Sequence, residues 1–371
     1  MKFTCEKNEL AAAISVASRT VAPKNPISDL EGILLRADAY LQLTGYNMET
    51  GITVKVNAQI SETGKCVLPA RLFFDIIRKL PDDIVTVIVD DSMKISIRGG
   101  NSSFTIMAIS DGEDYPELPD VEYENGVHIP GQALRELIAG TIFSVSDKQA
   151  RPIHTGCLLE VTDDSITMVA VDGFRLARRS WHADEPIGRT MKFVVPAAAL
   201  REVEKMLDDP DMDAVFTLGT KNILFEANNA TLICRLLEGE FLDWRRVVPT
   251  DNPIRLVGNV STLTNTIERV GLIINEKIKS PVRCIFSENV ADFRTVTTIG
   301  SAHDSCSLAG DGQDVELGFN CKYLLDALRA VPTDEVTLEI SNGLSPIVLT
   351  PADEKHDFSY MVMPVRLKPG E

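Results

Sequence analysis

The stretch VVPAAALREVEKML (residues 194–207) opens as a β-branched run and turns, at Pro196, into an amphipathic helical pattern. Proline suits a first helical turn, where its missing N–H costs nothing. The same sentence is written twice more, as VLPARLFFDIIRKL (67–80) and GFNCKYLLDALRAV (318–331). In the third copy Asn320 takes the capping position. Leu72, Leu200 and Leu324 mark the shared apolar stripe, at spacings of 128 and 124. A second helical pattern precedes each copy: NELAAAISVASRTV (8–21), GQALRELIAGTIFSVS (131–146) and VSTLTNTIERVGLII (260–274). Its apolar residues recur at helical spacing, as in Leu10, Ala13, Ile14 and Ala17. Leu10, Leu134 and Leu263 lie 124 and 129 apart. Gly45, Gly173 and Gly300 follow strand-like runs at spacings of 128 and 127, and an aromatic closes each copy at Tyr115, Trp244 and Tyr360. The runs between them, such as VTVIV, KISIRG, SITMVAV and VTLEI, alternate or are β-branched. The chain is therefore predicted to be an α+β protein of three tandem copies of one unit, in the order strand–helix–strands–helix–strands. The boundaries are drawn as 1–122, 123–251 and 252–371, at the Pro- and acid-rich junctions PDVEYENG (119–126) and PTDNP (249–253).

The 371 residues are 44% hydrophobic but only 6% aromatic, so the cores must rest on Val, Ile, Leu and Ala. The net charge of -17 argues against a nucleic-acid partner if it is spread evenly. It is not spread evenly. The six helical segments sum to +7, which leaves -24 on everything else. Mildly basic helices in a strongly acidic chain fit a surface of two signs, one meeting phosphates without reading sequence. Helical preference for Lys and Arg gives the plainer account. No helix-turn-helix, zinc finger or Arg-rich arm stands out. The seven cysteines form no C-x-x-C pair and sit among apolar neighbours, which points to reduced, buried thiols. MKFTCEKNEL has no secretory pattern and no apolar run reaches membrane length, so a soluble, cytoplasmic protein is expected.

Chemistry is sparse. The five histidines are far apart, and no metal, nucleotide or nucleophile-elbow motif is present, so neither a metal site nor a catalytic residue is predicted. The most enzyme-like segment is VDGFRLARR (171–179), where Asp172 and Arg175 could serve acid–base work in a hydrolase or transferase. An Asp-Gly turn between two strands is the favoured reading.

The threefold repeat, together with VDGFRLARR, EFLDWRRVVP (240–249), INEKIKSPVR (274–283) and SYMVMPVRL (359–367), closely resembles one family. That family is the β subunit of bacterial DNA polymerase III, the replicative sliding clamps. The resemblance runs in order over essentially the whole chain. It implies three DNA-clamp domains per chain and a ring closed by head-to-tail dimerisation. Helices would line a central hole, with antiparallel sheets as the outer wall. It implies a processivity factor in DNA replication, not an enzyme, with no cofactor. Its partners would be encircled double-stranded DNA, the polymerase III catalytic subunit, the clamp loader and other replication or repair proteins that dock short linear peptides between the second and third domains. A peptide-binding adaptor without a DNA role is the remaining alternative.

Carried over by position, the resemblance assigns one part of the peptide pocket to His154, Val171, Gly173, Phe174, Arg175, Leu176, Leu242, Arg246, Val247 and Met363. The adjoining part would be Asn320, Tyr323, Leu344, Pro346, Met361, Val362, Pro364, Val365 and Arg366. Arg175, Arg246 and Arg366 would supply its polar edges. DNA contact falls to Lys24, Arg71, Gln149 and Arg151, and the dimer contact to Phe104 and Ile106 against Leu272 and Ile273. The chain departs from the family at Val171 and Phe174, which replace Thr and His, and at Leu242, where Pro is common. Ala197 and Ala198 stand where basic residues are frequent, and four residues follow the usual terminal Arg-Leu.

Overall fold

A computed structural model describes the chain except for residues 23, 122–125, 149, 210, 275–279, 312 and 368–371. Parts of the junction at 119–126 and of the segment 274–283 thus lie outside the described residues, as does Gln149. Among the described residues, six α-helices each begin directly behind a strand. They are α1 (Lys7–Ala17), α2 (Ala70–Lys79), α3 (Gly131–Ala139), α4 (Ala197–Glu204), α5 (Val260–Gly271) and α6 (Cys321–Arg329). The switch is made by local chemistry. The side chain of Asn259 accepts the Thr262 N–H at 2.9 Å, and that of Asn320 accepts from Lys322 at 3.0 Å. Each satisfies an otherwise orphaned donor of the first turn. Pro69 and Pro196 stand one residue ahead of their helices, and the Pro69 carbonyl accepts the Phe73 N–H at 3.0 Å.

The helical stripes are buried as the spacing predicts, with one shift of register. Leu10, Leu134 and Leu263 are all buried. In α2, however, Leu72 is 48% exposed and Phe73 is the core residue that matches Leu200 and Leu324. Phe73, like those two, lies three residues after the first residue of its helix. The adjacent apolar pair made the sequence ambiguous by one position. The helices behind the first and second copies are also shorter than predicted, giving way to 3-10 turns at Ser18–Thr20 and Ile142–Ser144. After α3 comes Gly140, where a Cβ would lie 2.7 Å from Arg179 Cδ and 3.0 Å from the Tyr360 hydroxyl.

The chain packs as two compact units. Unit one comprises residues 1–134 and 198–236, unit two residues 135–197 and 237–371. The middle copy is shared between them, because its strands continue the sheets of both neighbours. In unit one, Thr50–Val56 of the first copy pairs with Ala230–Arg235 of the second, inside an eight-stranded sheet. In unit two, Arg175–His182 pairs with Phe358–Val362 of the third copy, inside a nine-stranded sheet. All the pairings among the described residues are antiparallel. A five-stranded sheet completes unit one, ending on Ser102–Met107, and a four-stranded sheet completes unit two, ending on Gly300–Ser307.

Two of the repeated markers prove to be unequal. Gly45 lies within Leu41–Tyr46, not after it, and is glycine because a Cβ there would meet the Ala17 carbonyl at 2.0 Å. The turn that matches Gly173 (φ +92°) holds Met48 at φ +74°. Tyr115 and Trp244 both follow the last strand of their copies, whereas Tyr360 lies inside Phe358–Val362. Tyr360 is fully buried, stacks on Phe358, meets Phe143 edge-on and donates to the Ala330 carbonyl at 3.1 Å. It therefore ties the terminal strand to the end of α6. Tyr360→Ala is expected to destabilise unit two by about 3–5 kcal/mol through the cavity it leaves. Tyr360→Phe, which loses the hydrogen bond to the Ala330 carbonyl, should cost about 1 kcal/mol. Urea unfolding of the two variants checks the ratio.

Candidate functional site

The segment VDGFRLARR forms a hairpin turn between Ser165–Val171 and Arg175–His182. Asp172 does not face solvent as a reagent. Its Oδ1 accepts the N–H groups of Phe174 at 2.8 Å and Arg175 at 3.1 Å, closing the turn over Gly173. Its Oδ2 accepts Arg175 Nε at 2.9 Å. Arg175 is only 8% exposed, and its Nη1 donates to Asp326 Oδ2 on α6 at 2.6 Å. Its guanidinium lies 4.4 Å from the centroid of the Tyr323 ring and 5.7 Å from that of Phe143. A buried arginine needs this company, since an unpaired buried charge is very costly. Arg175 therefore stands beneath the surface rather than on it. Its polar atoms are spent holding the turn to α6, and the Asp172–Arg175 pair is structural rather than catalytic.

The C-terminal strip is laid beside this turn by pairing. Arg175 stands opposite Val362, and Leu176 opposite Met361. Beyond the strand, the Met363 N–H donates to the Phe174 carbonyl at 2.8 Å and the Val365 N–H to the Gly318 carbonyl at 2.8 Å. Val171, Leu176 and Met361 sink into one apolar cluster with Phe241 and Val348, and Val362 into the neighbouring core. These four are a floor, not a surface. The apolar surface above is carried by others. Phe174 is 50% exposed and stacks on Tyr323, with ring centroids 6.2 Å apart, while the Lys148 ammonium lies 5.7 Å from its ring. Leu242, Val247, Met363, Val365 and Leu344 are exposed too, and Pro346 and Pro364 are half-buried. Exposed apolar side chains gathered this way mark a contact surface more often than chance.

The remaining assigned residues fall as follows. His154 is half-buried, edge-on to Phe241. Burial, helped by the Arg151 charge, lowers its pKa below the ordinary value, so it is neutral at pH 7. Arg246 is exposed and pairs with Asp243 at 3.0 Å, and Arg366 is exposed. Asn320 is the α6 cap described above. Lys24, Arg71 and Arg151 are exposed and have no ion-pair partner among the described residues. Other helical cations are already engaged: Arg19 with Glu202, Arg269 with Asp304 and Arg329 with Glu268. Ala197 is buried and Ala198 exposed. Phe104 and Leu272 are exposed, Leu272 by 82%, and Ile106 and Ile273 are half-buried, so these four are not core. Six of the cysteines are buried, and burial pushes the Cys66 and Cys234 thiols up to about 12.

Sequence reasoning missed Asp326, Lys148 and Phe143. Asp326 has a local signal, three residues beyond Tyr323 on the same face of α6. Its pairing with Arg175, 151 residues away, has none.

Three family models match in tandem. They are the N-terminal domain of the DNA polymerase III beta subunit at residues 1–119, the central domain at 128–243 and the C-terminal domain at 245–366. Among curated proteins, the beta sliding clamp of Staphylococcus epidermidis is 28% identical over 377 residues, covering 99% of each chain. Among solved structures, a DNA polymerase III beta subunit from Eubacterium rectale is 31% identical with a TM-score of 0.93, covering 99% of this chain and 100% of that one. The Pseudomonas aeruginosa sliding clamp crystallised with griselimycin is 28% identical with a TM-score of 0.92, with the same coverage.

Two outcomes follow from the geometry. Asp326→Ala leaves one arm of a buried guanidinium unpaired and should lower the stability of unit two by about 2–3 kcal/mol, read by chemical denaturation. Because the His154 pKa is depressed in the fold, the unfolded chain takes up the proton more readily. Acidification from pH 7 towards 5 should then erode stability, and the erosion should be smaller in His154→Gln when the two pH profiles are compared.

Proposed function

The chain belongs to the DNA polymerase III β-subunit family, and on that premise we propose how its residues serve a sliding clamp that tethers the replicative polymerase to DNA. The protein is a non-catalytic processivity factor. Its three clamp domains, taken as 1–122, 123–251 and 252–371, close into a ring with a second copy, head to tail. Such a contact is heterologous and stays finite only because the rotation closes. The outermost strands Ser102–Met107 and Gly300–Ser307 support this reading, as does the exposure of Phe104 within the first and of Leu272 at the end of α5, which Arg269 ties to Asp304 of the second. Duplex DNA is encircled without base reading. Lys24, Arg71 and Arg151 face its phosphates, and Gln149 joins them by position. Since several helical cations are paired within the chain, direct DNA affinity is weak and falls with salt. Topological linkage, rather than binding strength, retains the DNA, and so acidic a chain can do this work. No helix among the described residues is long and apolar enough to cross a membrane. With its buried thiols, that suits a cytoplasmic clamp.

The peptide pocket of unit two docks the polymerase, the clamp loader and repair partners. One observation carries this reading. The terminal strip and the 172–174 turn, nearly two hundred residues apart in sequence, are paired into one sheet and leave Phe174, Leu242, Val247, Met363, Val365 and Leu344 exposed around a buried floor. His154, Gly173, Asn320, Tyr323, Pro346, Pro364, Arg246 and Arg366 frame it, and Val171, Leu176, Met361 and Val362 underlie it. Methionine and other adaptable apolar groups suit a site that accepts several partners. Phe174 and Leu242 make the pocket more apolar than the family pattern.

The clamp should be retained on nicked circular DNA in gel filtration and lost when that DNA is linearised; equal retention on both forms would rule out encirclement. Truncation after Val362 spares the buried strand. It should abolish binding of a peptide from the polymerase catalytic subunit and leave the dimer intact in sedimentation. Normal peptide binding by the truncated chain would remove the pocket assignment.

A further inference from the structure

All three copies make one hydrogen bond in common. A residue just past the last strand of the copy donates its N–H to the carbonyl of the residue three positions before the second helix. Ile109 donates to Val67 at 2.8 Å, Leu237 to Val194 at 3.0 Å and Val365 to Gly318 at 2.8 Å. The acceptors occupy one structural position, ahead of α2, α4 and α6 in turn. In the first two copies that position is valine. Its side chain is buried with the segment that runs on toward the next copy: Val67 with Tyr115 and Leu118, Val194 with Phe241 and Trp244. In the third copy the position is glycine.

The backbone of Gly318 does not require glycine, since its φ lies outside the left-handed range. Its surroundings favour glycine, because any side chain there must displace that of Leu367. A Cβ there would sit 2.5 Å from Leu367 Cδ2 and 3.0 Å from Leu367 Cγ. Glycine inside a strand forgoes packing and often marks a close approach by another group. Here the approaching group is the side chain of Leu367, five residues past the end of the terminal strand. Leu367 takes the space that a valine fills in the other copies.

We propose that Leu367 and Gly318 are a knob and notch that position residues 363–366 as a wall of the peptide pocket. The proposal rests on the pocket reading above. Met363 and Val365, the exposed apolar residues of that wall, lie between the end of the strand and this anchor. Two backbone hydrogen bonds fix their chain, to Phe174 and to Gly318. Leu367 supplies the side-chain anchor beyond them. With the knob unseated, the wall must be ordered each time a partner docks, and ordering several residues weakens binding. Gly318 and Leu367 are thus positioning residues that need not touch the partner.

The experiment uses the full chain and griselimycin, the ligand carried by the Pseudomonas relative. Gly318→Val installs the residue found in the other two copies, and its β preference suits a strand. Leu367→Ala removes the knob at a site near the chain end. Each is expected to weaken griselimycin about tenfold or more by calorimetry. The double variant should be no weaker than the poorer single one, because both remove one contact. Both single variants should also lose C-terminal residues to carboxypeptidase faster than the wild type, a local loosening that a general loss of stability would not mimic while the thermal midpoint and dimer are retained. Wild-type affinity and trimming in both variants would overturn the notch while leaving the pocket standing, and so would additive losses in the double variant. A wild-type chain that fails to bind griselimycin would instead overturn the pocket reading, and with it the role given to the notch.

Discussion

The pairing of Arg175–His182 with Phe358–Val362 is the contact on which the candidate site depends. It sets Arg175 opposite Val362 and Arg179 opposite Phe358, and it merges strands of the middle and last copies into one sheet. A slip of one residue would turn every side chain to the other face. Tyr360 would leave the core, and Met361 would leave the floor beneath the exposed apolar residues. The register is therefore held from several sides. Tyr360 reaches the Ala330 carbonyl at the end of α6, Arg179 pairs with Glu136 on α3, and Arg178 makes two bonds to Asp357, at 2.6 and 2.7 Å.

Buried charge does similar work around Arg175. Pairing an arginine with two carboxylates in a poorly hydrated place contributes little net stability, because desolvation offsets much of the attraction. What such a cluster provides is geometry. Asp172 fixes the turn, Arg175 spans from the turn to α6, and Asp326 receives it there. Phe174 then lies over Tyr323, so the two halves of the surface are set against each other by one side chain.

The fold builds this frame twice, yet only one copy of it is apolar. At the junction of the first two repeats, Asn47 Oδ1 accepts the N–H groups of Glu49 at 3.0 Å and Thr50 at 2.7 Å, as Asp172 does for its own turn. The Arg235 N–H donates to the Glu49 carbonyl at 3.0 Å, the counterpart of Met363 to Phe174. The backbone is the same and the side chains are not. Glu49 and Arg235 stand where Phe174 and Met363 stand, and charged groups at the surface keep their water. Repetition supplies the scaffold, and a few substitutions choose which junction can exchange water for a partner.

The repeat, the order of elements and the faces of the helices were legible from the chain alone. These are written in local periodicity, and each copy carries its own caps and stripes, such as Asn320 ahead of Leu324 and Leu328. The Asp-Gly turn was legible for the same reason, since Asp172 bonds only to its near neighbours in closing it. Local patterns misled where two apolar residues stood side by side, as with Leu72 and Phe73, and where similar residues recurred at similar spacing in different places, as with Gly45 and Tyr360. Family likeness, not periodicity, joined Phe174 and Met363 in one expected pocket. Tertiary structure decided what each does there. Arg175 became a buried brace because Asp326 arrives from 151 residues away, and Gly318 matters because Leu367 folds back onto it. Contacts of that span leave no mark on the residues around them. They exist only once strand pairing has closed the distance.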